Sequence, residues 1–260
     1  MKEKKRLFRK AVLALCMTFL CWLPASADIL RGDVDFDGKV GISDITCLID
    51  YLLNGTWDDE TVTPTDDHEW VDLGLPSGTL WATCNVGANS PEEYGDYFAW
   101  GETESKEVYS WSTYKWCVTK ENDELDMLTK YTDVYYGSIV DNKTELDPED
   151  DAAYVNWGAS WRIPTREQFD ELFNNCSSQW TTLNDVDGRL LTGPNGNTLF
   201  LPFAGRITDS SHIDTNGYYW LRTLVPSNQI FAFLLSFGSS NWSFPGTFRY
   251  TGMTVRAVRL

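Results

Sequence analysis

Asp33, Asp35, Asp37 and Asp44 stand at positions 1, 3, 5 and 12 of a twelve-residue run, with Gly38 at position 6. This spacing turns alternate side chains toward one point, and the glycine permits the sharp bend that such a loop needs. Lys39 at position 7 would contribute its backbone carbonyl, and a water under Gly41 at position 9 would complete an oxygen cage. Two unit charges about 5 Å apart repel by roughly 3 kcal/mol at an effective dielectric of 20, so four carboxylates close together only around a cation. An all-oxygen donor set suits a hard divalent ion, and Ca2+ is the expected cofactor.

The loop runs directly into Ile42, Ile45, Leu48, Ile49, Leu52 and Leu53, which make one apolar helical stripe ended by Asn54-Gly55. The segment from Gly32 to Gly55 resembles one type I dockerin repeat, whose last loop ligand is Asp. That resemblance implies calcium-dependent folding and docking onto a cohesin-like partner. Dockerins normally carry two such repeats, and no second one follows Gly55.

The compartment is read from the first residues. Lys2, Lys4, Lys5, Arg6, Arg9 and Lys10 precede an apolar run from Ala11 to Leu23, too short to cross a bilayer core of ~30 Å as a helix. Pro24 breaks the run, and Ala25-Ser26-Ala27 supplies the small residues of a signal-peptidase site. Residues 1–27 are therefore expected to be a signal peptide, 28–56 the calcium-binding repeat and 57–68 an acidic linker. Residues 69–260 form the main domain. No transmembrane segment is expected in the mature chain, and export places it outside the cytoplasm, secreted or on the cell surface. The formal net charge is −17, and removal of a basic leader makes it more negative. Such a field repels nucleic acid, which is excluded as a partner.

The main domain reads as loop-rich α+β. Trp70–Leu73 and Thr79–Thr83 flank Leu75-Pro76-Ser77-Gly78, a hairpin signal, and Gly95–Gly101 encloses an aromatic strand. Residues 103–156 are polar, acidic and without period, and are expected to form surface loops. Thr165 with Gln168 three residues on makes a capping box for a helix whose Phe169, Leu172 and Phe173 face inward. Arg189–Thr192 and Thr198–Leu201 bracket a second hairpin. Tyr218–Trp220, Ile230–Phe237 and Thr254–Val258 are expected strands.

Six ordered motifs then carry a second resemblance: EWVDLGLPSGTLWATCNVGA, GDYFAWGE, WRIPTREQFDEL, LPFAGR, GYYW and GMTVRAV. Together, over about residues 69–260, they look like the Fibrobacter succinogenes major paralogous domain of secreted and surface bacterial proteins. The family is similar in pattern to the C-type-lectin-like fold. This implies a small twisted antiparallel sheet with one or two helices holding long loops for ligand contact. Cys84 and Cys176 lie in the segments that carry this likeness and are expected to pair, buried free thiols being the alternative.

Catalysis is not expected. Only two histidines exist: His68 in the linker, and His212 in a polar run where it reads as a solvated loop residue. Neither accompanies a GxSxG nucleophile motif. The formylglycine-generating enzymes on the same fold act through cysteines near the C-terminus, and residues 177–260 contain none. The motifs by which C-type lectins bind sugar through calcium, Glu-Pro-Asn and Trp-Asn-Asp, are likewise missing from the sequence.

A binding function remains, with an unknown glycan or protein as ligand. Residues 221–253 are the candidate face: Leu221, Arg222, Phe233, Trp242, Phe244 and Tyr250 would put apolar and basic side chains on loops and an edge strand. This part also looks like the variable region of retroelement-diversified ligand-binding proteins. The alternatives are ordinary core packing in this segment, and a role for the whole chain as an assembly component of an extracellular polysaccharide-degrading complex.

Overall fold

A computed structural model describes residues 68–137 and 140–259. The signal peptide and the calcium-loop residues Asp33, Asp35, Asp37, Lys39, Gly41 and Asp44 lie outside the described residues, as does all of the linker before His68.

In chain order the described elements begin with β1 (Trp70–Asp72), β2 (Leu80–Ala82), β3 (Cys117–Thr119) and β4 (Leu125–Leu128). Helix α1 (Ala152–Trp157), β5 (Trp161–Arg162) and helix α2 (Arg166–Asn175) follow. Then come β6 (Ser177–Leu183), β7 (Val186–Thr192), β8 (Thr198–Pro202), β9 (Arg206–Thr208), β10 (Ser211–Ile213) and β11 (Gly217–Leu224). The last are β12 (Phe231–Phe237), β13 (Trp242–Ser243), β14 (Gly246–Phe248) and β15 (Val258–Arg259). The architecture is one of small antiparallel sheets with few helices, α+β in general terms as the sequence suggested.

One sheet has the order β1-β2-β15-β5, so the strand at 258–259 sits between strands from the start and the middle of the domain. A second is built on β11-β12-β13 with β14 also on β12, and a third is β6-β7-β8. The expected 70–83 hairpin forms, pairing Val71 with Trp81. Its turn closes with the Gly78 amide donating to the Leu75 carbonyl at 3.0 Å, and Gly78 takes φ +74, which a side chain would strain. The 189–201 hairpin also forms, as β7 on β8. The hairpin of β6 and β7, not anticipated, turns at Asn184 and Asp185 with φ 47 and 66.

Helix α2 follows its sequence signature closely. Thr165 Oγ1 accepts from the Gln168 amide at 3.2 Å while Gln168 Oε1 accepts from the Thr165 amide at 2.9 Å. Two amides that the helix start would otherwise leave unpaired are thus satisfied. Phe169, Leu172 and Phe173 are buried on its inner face. There they join Leu73, Trp81, Leu191, Leu201, Tyr219, Leu235 and Phe237 in one core cluster. A second cluster gathers Phe98, Trp100, Trp157, Trp161, Trp220, Leu234 and Met253.

Several expectations are corrected. Residues 103–156 are not simply surface loops. Tyr109, Trp111, Tyr114 and Leu128 are buried in a third cluster, and Tyr131 is buried beside Trp100. This packing hangs on short 3-10 turns, which leave no sequence period to read. Gly95–Gly101 contributes a single bridge, Phe98 to Met253, rather than a regular strand. Regular pairing near the C-terminus is confined to β15, while Gly252, Met253 and Thr254 make isolated bridges to Ile207, Phe98 and Tyr219. His68, assigned to the end of the linker, stacks its ring on Trp157, centroids 4.0 Å apart.

The expected Cys84–Cys176 bridge is not formed. Both are free thiols, Cys84 packed against the cluster around Trp100 and Cys176 within the cluster around Phe169. The Cys84 thiol instead donates to the Ala88 carbonyl at 3.3 Å. Burial pushes both thiols above the ordinary cysteine range, which makes them poor nucleophiles.

Candidate functional site

The candidate binding residues do not form one face. Leu221 is fully buried in the core, because β11 turns it inward between the second sheet and α2. Phe233, Trp242 and Phe244 are partly buried and pack against the same cluster, with Trp242 on Phe173 at 5.0 Å and on Phe244 at 5.4 Å. Tyr250 belongs elsewhere, stacked on Phe248 at 5.3 Å beside Trp111. Much of 221–253 is therefore core, the alternative weighed for this segment. Arg222 is different: it lines a cleft.

That cleft has a volume of about 260 Å³ and is lined by Ala159, Ser160, Arg162, Gln168, Arg222 and Val258. Three elements position it. β5 carries Arg162, the first turn of α2 carries Gln168, and β11 carries Arg222 at an irregularity in its pairing with β12, between Trp220 and Leu224. The Arg222 amide donates to the Pro164 carbonyl at 3.1 Å, which fixes β11 against the end of β5. Buried Val258 on β15 backs the cleft.

Arg162 is held in place by its own surroundings. Its Nη1 donates to the Ala159 and Trp161 carbonyls at 2.8 and 2.6 Å, and its guanidinium lies over the Tyr154 ring at 4.1 Å. Arg222 Nε faces Glu145 at 3.4 Å without forming a hydrogen bond. Gln168 spends its carboxamide oxygen on the helix cap, which leaves its NH2 outside the cap. Guanidinium, amide and hydroxyl groups therefore dominate the polar lining, and all of these can donate.

Two other clusters have chemical potential that the sequence did not reveal. Asp147, Glu149 and Asp150 bring carboxylate oxygens within 4.8 Å of one another, a spacing that a metal ion could bridge. The ammonium of Lys130 already lies among them, 3.0 Å from Asp147, 3.5 Å from Glu149 and 2.5 Å from Asp150. Tyr131 also donates to Asp150 at 2.6 Å. Burial works to lower the Lys130 pKa, but hydrogen bonds to Asp150 and Asp147 outweigh it and push the value up. Burial would raise Asp147, yet Lys143 and Lys130 hold its carboxyl below the ordinary range.

Lys130→Met should strip the nearer charge partner from Asp150, which is 2 % exposed, leaving only Lys115 at 3.9 Å, and cost about 3 kcal/mol at pH 7, read as a lowered denaturation midpoint. Asp147, whose carboxyl Lys143 and Lys130 hold below the ordinary range, contributes stability above its unfolded pKa and loses it as pH falls through the folded value. The gap between wild type and variant should therefore narrow below about pH 4. A gap of unchanged size at pH 3 would show that the ion cluster is not its origin.

His212 is exposed, as expected, but it stands on β10 rather than in a loop and its ring is hydrogen-bonded. Its Nδ1 lies 2.9 Å from Asp214, and its Nε2 lies 2.8 Å from the Tyr97 hydroxyl and 2.9 Å from the Ala204 carbonyl. The row of acid, imidazole and phenol has the outline of a nucleophile relay. Burial, however, pushes the Tyr97 pKa up, opposite to the shift that would activate a phenolate. The hydrogen bonds instead tie β10 to the 94–97 segment.

No family model, curated protein or solved structure matches this chain. No helix among the described residues is long and apolar enough to cross a membrane.

Proposed function

We propose that this chain is a secreted or cell-surface, non-catalytic binding protein of a bacterium. In this reading a C-type-lectin-like domain carries the ligand site, and a dockerin-like calcium module stands in front of it. The observation that supports recognition is the cleft between β5, α2 and β11. Its groups are suited to holding a ligand, and Arg162 is braced in position by two carbonyls and a ring before binding. The calcium module is supported by the aspartate spacing from Asp33 to Asp44 alone.

Two measurements on the secreted chain test this reading. Glycan-array binding should be detectable, and a chain that turned over a polysaccharide would be an enzyme instead. Calcium titration by calorimetry should give a saturable heat that disappears in the double variant Asp35→Ala, Asp44→Ala. The same spacing favours a second reading, docking into an extracellular complex through a cohesin-like partner. Calcium-dependent capture by a purified cohesin would support it.

A further inference from the structure

Resting on the reading of the cleft as a recognition site, we infer that its ligand is an acidic sugar: a hexuronic-acid unit whose carboxylate meets Arg222 and Arg162.

Charge is the first ground. The chain carries a formal net charge of −17, so its overall field disfavours anions. Two guanidiniums lining one small cleft run against that background. Among the described residues neither forms an ion pair with a buried carboxylate, although the charge of Arg162 is felt by buried Asp151. Arg162 is anchored by carbonyls. Arg222 faces Glu145, whose side chain is 54 % exposed, and Arg222 Nε is buried without a hydrogen bond. An exposed pair of this kind contributes little and yields easily to a better-aligned acceptor. A carboxylate has the geometry to take two parallel N–H donors from a guanidinium fork.

Lining and size are the second ground. Besides the two arginines, Ser160 offers a hydroxyl and Gln168 an NH2, which suit the oxygens of a hydroxylated ring. Ala159 and Val258, with the aliphatic stems of the two arginines, supply the apolar surface on which the C–H face of a sugar ring can rest. At about 260 Å³ it falls below the roughly 300–1,000 Å³ typical of sites for drug-sized ligands, and suits a single ring.

The test is calorimetry on the full secreted chain with three probes: trigalacturonate, its fully methyl-esterified form, and N-acetylalanine. The first has ring and charge, the second the ring alone, the third a carboxylate without the ring. Trigalacturonate should bind, and the ester should bind at least about 10-fold more weakly, since charge-assisted hydrogen bonds are lost. Arg222→Gln and Arg162→Gln should each weaken trigalacturonate by a similar factor. Arg222→Lys, which keeps the charge and loses the fork, should fall between. Unchanged melting curves would confirm that the variants are folded.

Equal affinity for acid and ester would overturn the inference while leaving a sugar-recognition role standing. N-acetylalanine binding as tightly as trigalacturonate would overturn the sugar part. Trigalacturonate binding unaltered in all three variants would place the acid elsewhere and overturn the site. Failure of trigalacturonate to bind would overturn the inference, and an empty glycan array beside it would take the recognition reading as well.

Discussion

Arg249→Ala is expected to leave the domain without a cooperative unfolding transition. Arg249 is fully buried, and no carboxylate accepts from it in the described structure. Its Nε donates to the Tyr114 hydroxyl at 2.8 Å, Nη1 to the Tyr131 and Gln229 carbonyls at 3.2 and 3.3 Å, and Nη2 to the Lys130 carbonyl at 3.1 Å. The guanidinium lies 5.0 Å from the Trp100 ring centre, 5.3 Å from Tyr114 and 5.8 Å from Tyr131. Carbonyl dipoles and ring faces thus take the place of water around a weakly hydrated cation. Alanine would strand three carbonyls and open a cavity at the junction of two aromatic clusters. The combined loss is on the order of 5 kcal/mol, comparable to the whole stability of many domains. Arg249→Lys keeps the charge but cannot reach four acceptors at once, and should fall between. Near-UV circular dichroism and tryptophan fluorescence during urea titration would read both variants. A wild-type midpoint in the alanine variant would refute the role assigned to this side chain.

Asp151→Ala should cost about 3 kcal/mol, from the loss of one carboxylate that holds two elements together. Asp151 is 1 % exposed. Its Oδ1 accepts from the Ala153 and Tyr154 amides at 2.9 and 3.2 Å, capping α1, and its Oδ2 accepts from the Ile163 amide at 2.9 Å, just past β5. An ordinary helix cap touches only its own helix, whereas this one also fixes where the chain leaves β5. The loss should therefore exceed that of a simple cap, about 1 kcal/mol. Asp151→Asn keeps one oxygen and turns an NH2 toward a donor, so it should recover less than half. Because the Ile163 amide also reaches Oδ1, at 3.2 Å, a denaturation midpoint near wild type for the asparagine variant would mean that one oxygen suffices and that the Oδ2 contact adds little.

What could be read in advance, and what could not, divides along physical lines. Thr165, Gln168 and the Phe169/Leu172/Phe173 stripe announce α2 because caps and helical period are local. The turns at Gly78 and at 193–197 announce their hairpins for the same reason. Asn184-Asp185 was an available signal for the β6–β7 hairpin, since both residues tolerate positive φ. The cleft was hidden because Arg162 and Arg222 come together only through the pairing of distant segments. Arg222 was singled out for its chemistry, but with neighbours that the fold buries or sends elsewhere. The buried cation at Arg249 was invisible too: its acceptors are mostly main-chain carbonyls, and every residue type carries one. The free thiols show the converse error, since two cysteines in one pair of motifs need not share a neighbourhood.

The strand at 258–259 has a consequence for how the domain comes to be folded. Val258 pairs with Trp81 on one side and with Arg162 on the other, so the sheet that joins the first hairpin to the middle of the domain stays open until these residues are in place. Loop closure over such separations precedes any reward from contact, and chains of this kind fold slowly, in the range of roughly milliseconds to seconds. A polypeptide synthesised only as far as residue 250 would hold both partner strands without the piece that locks them. Such a chain stays pliable, and the sheet closes only once residues 258–259 are free to dock between their partners.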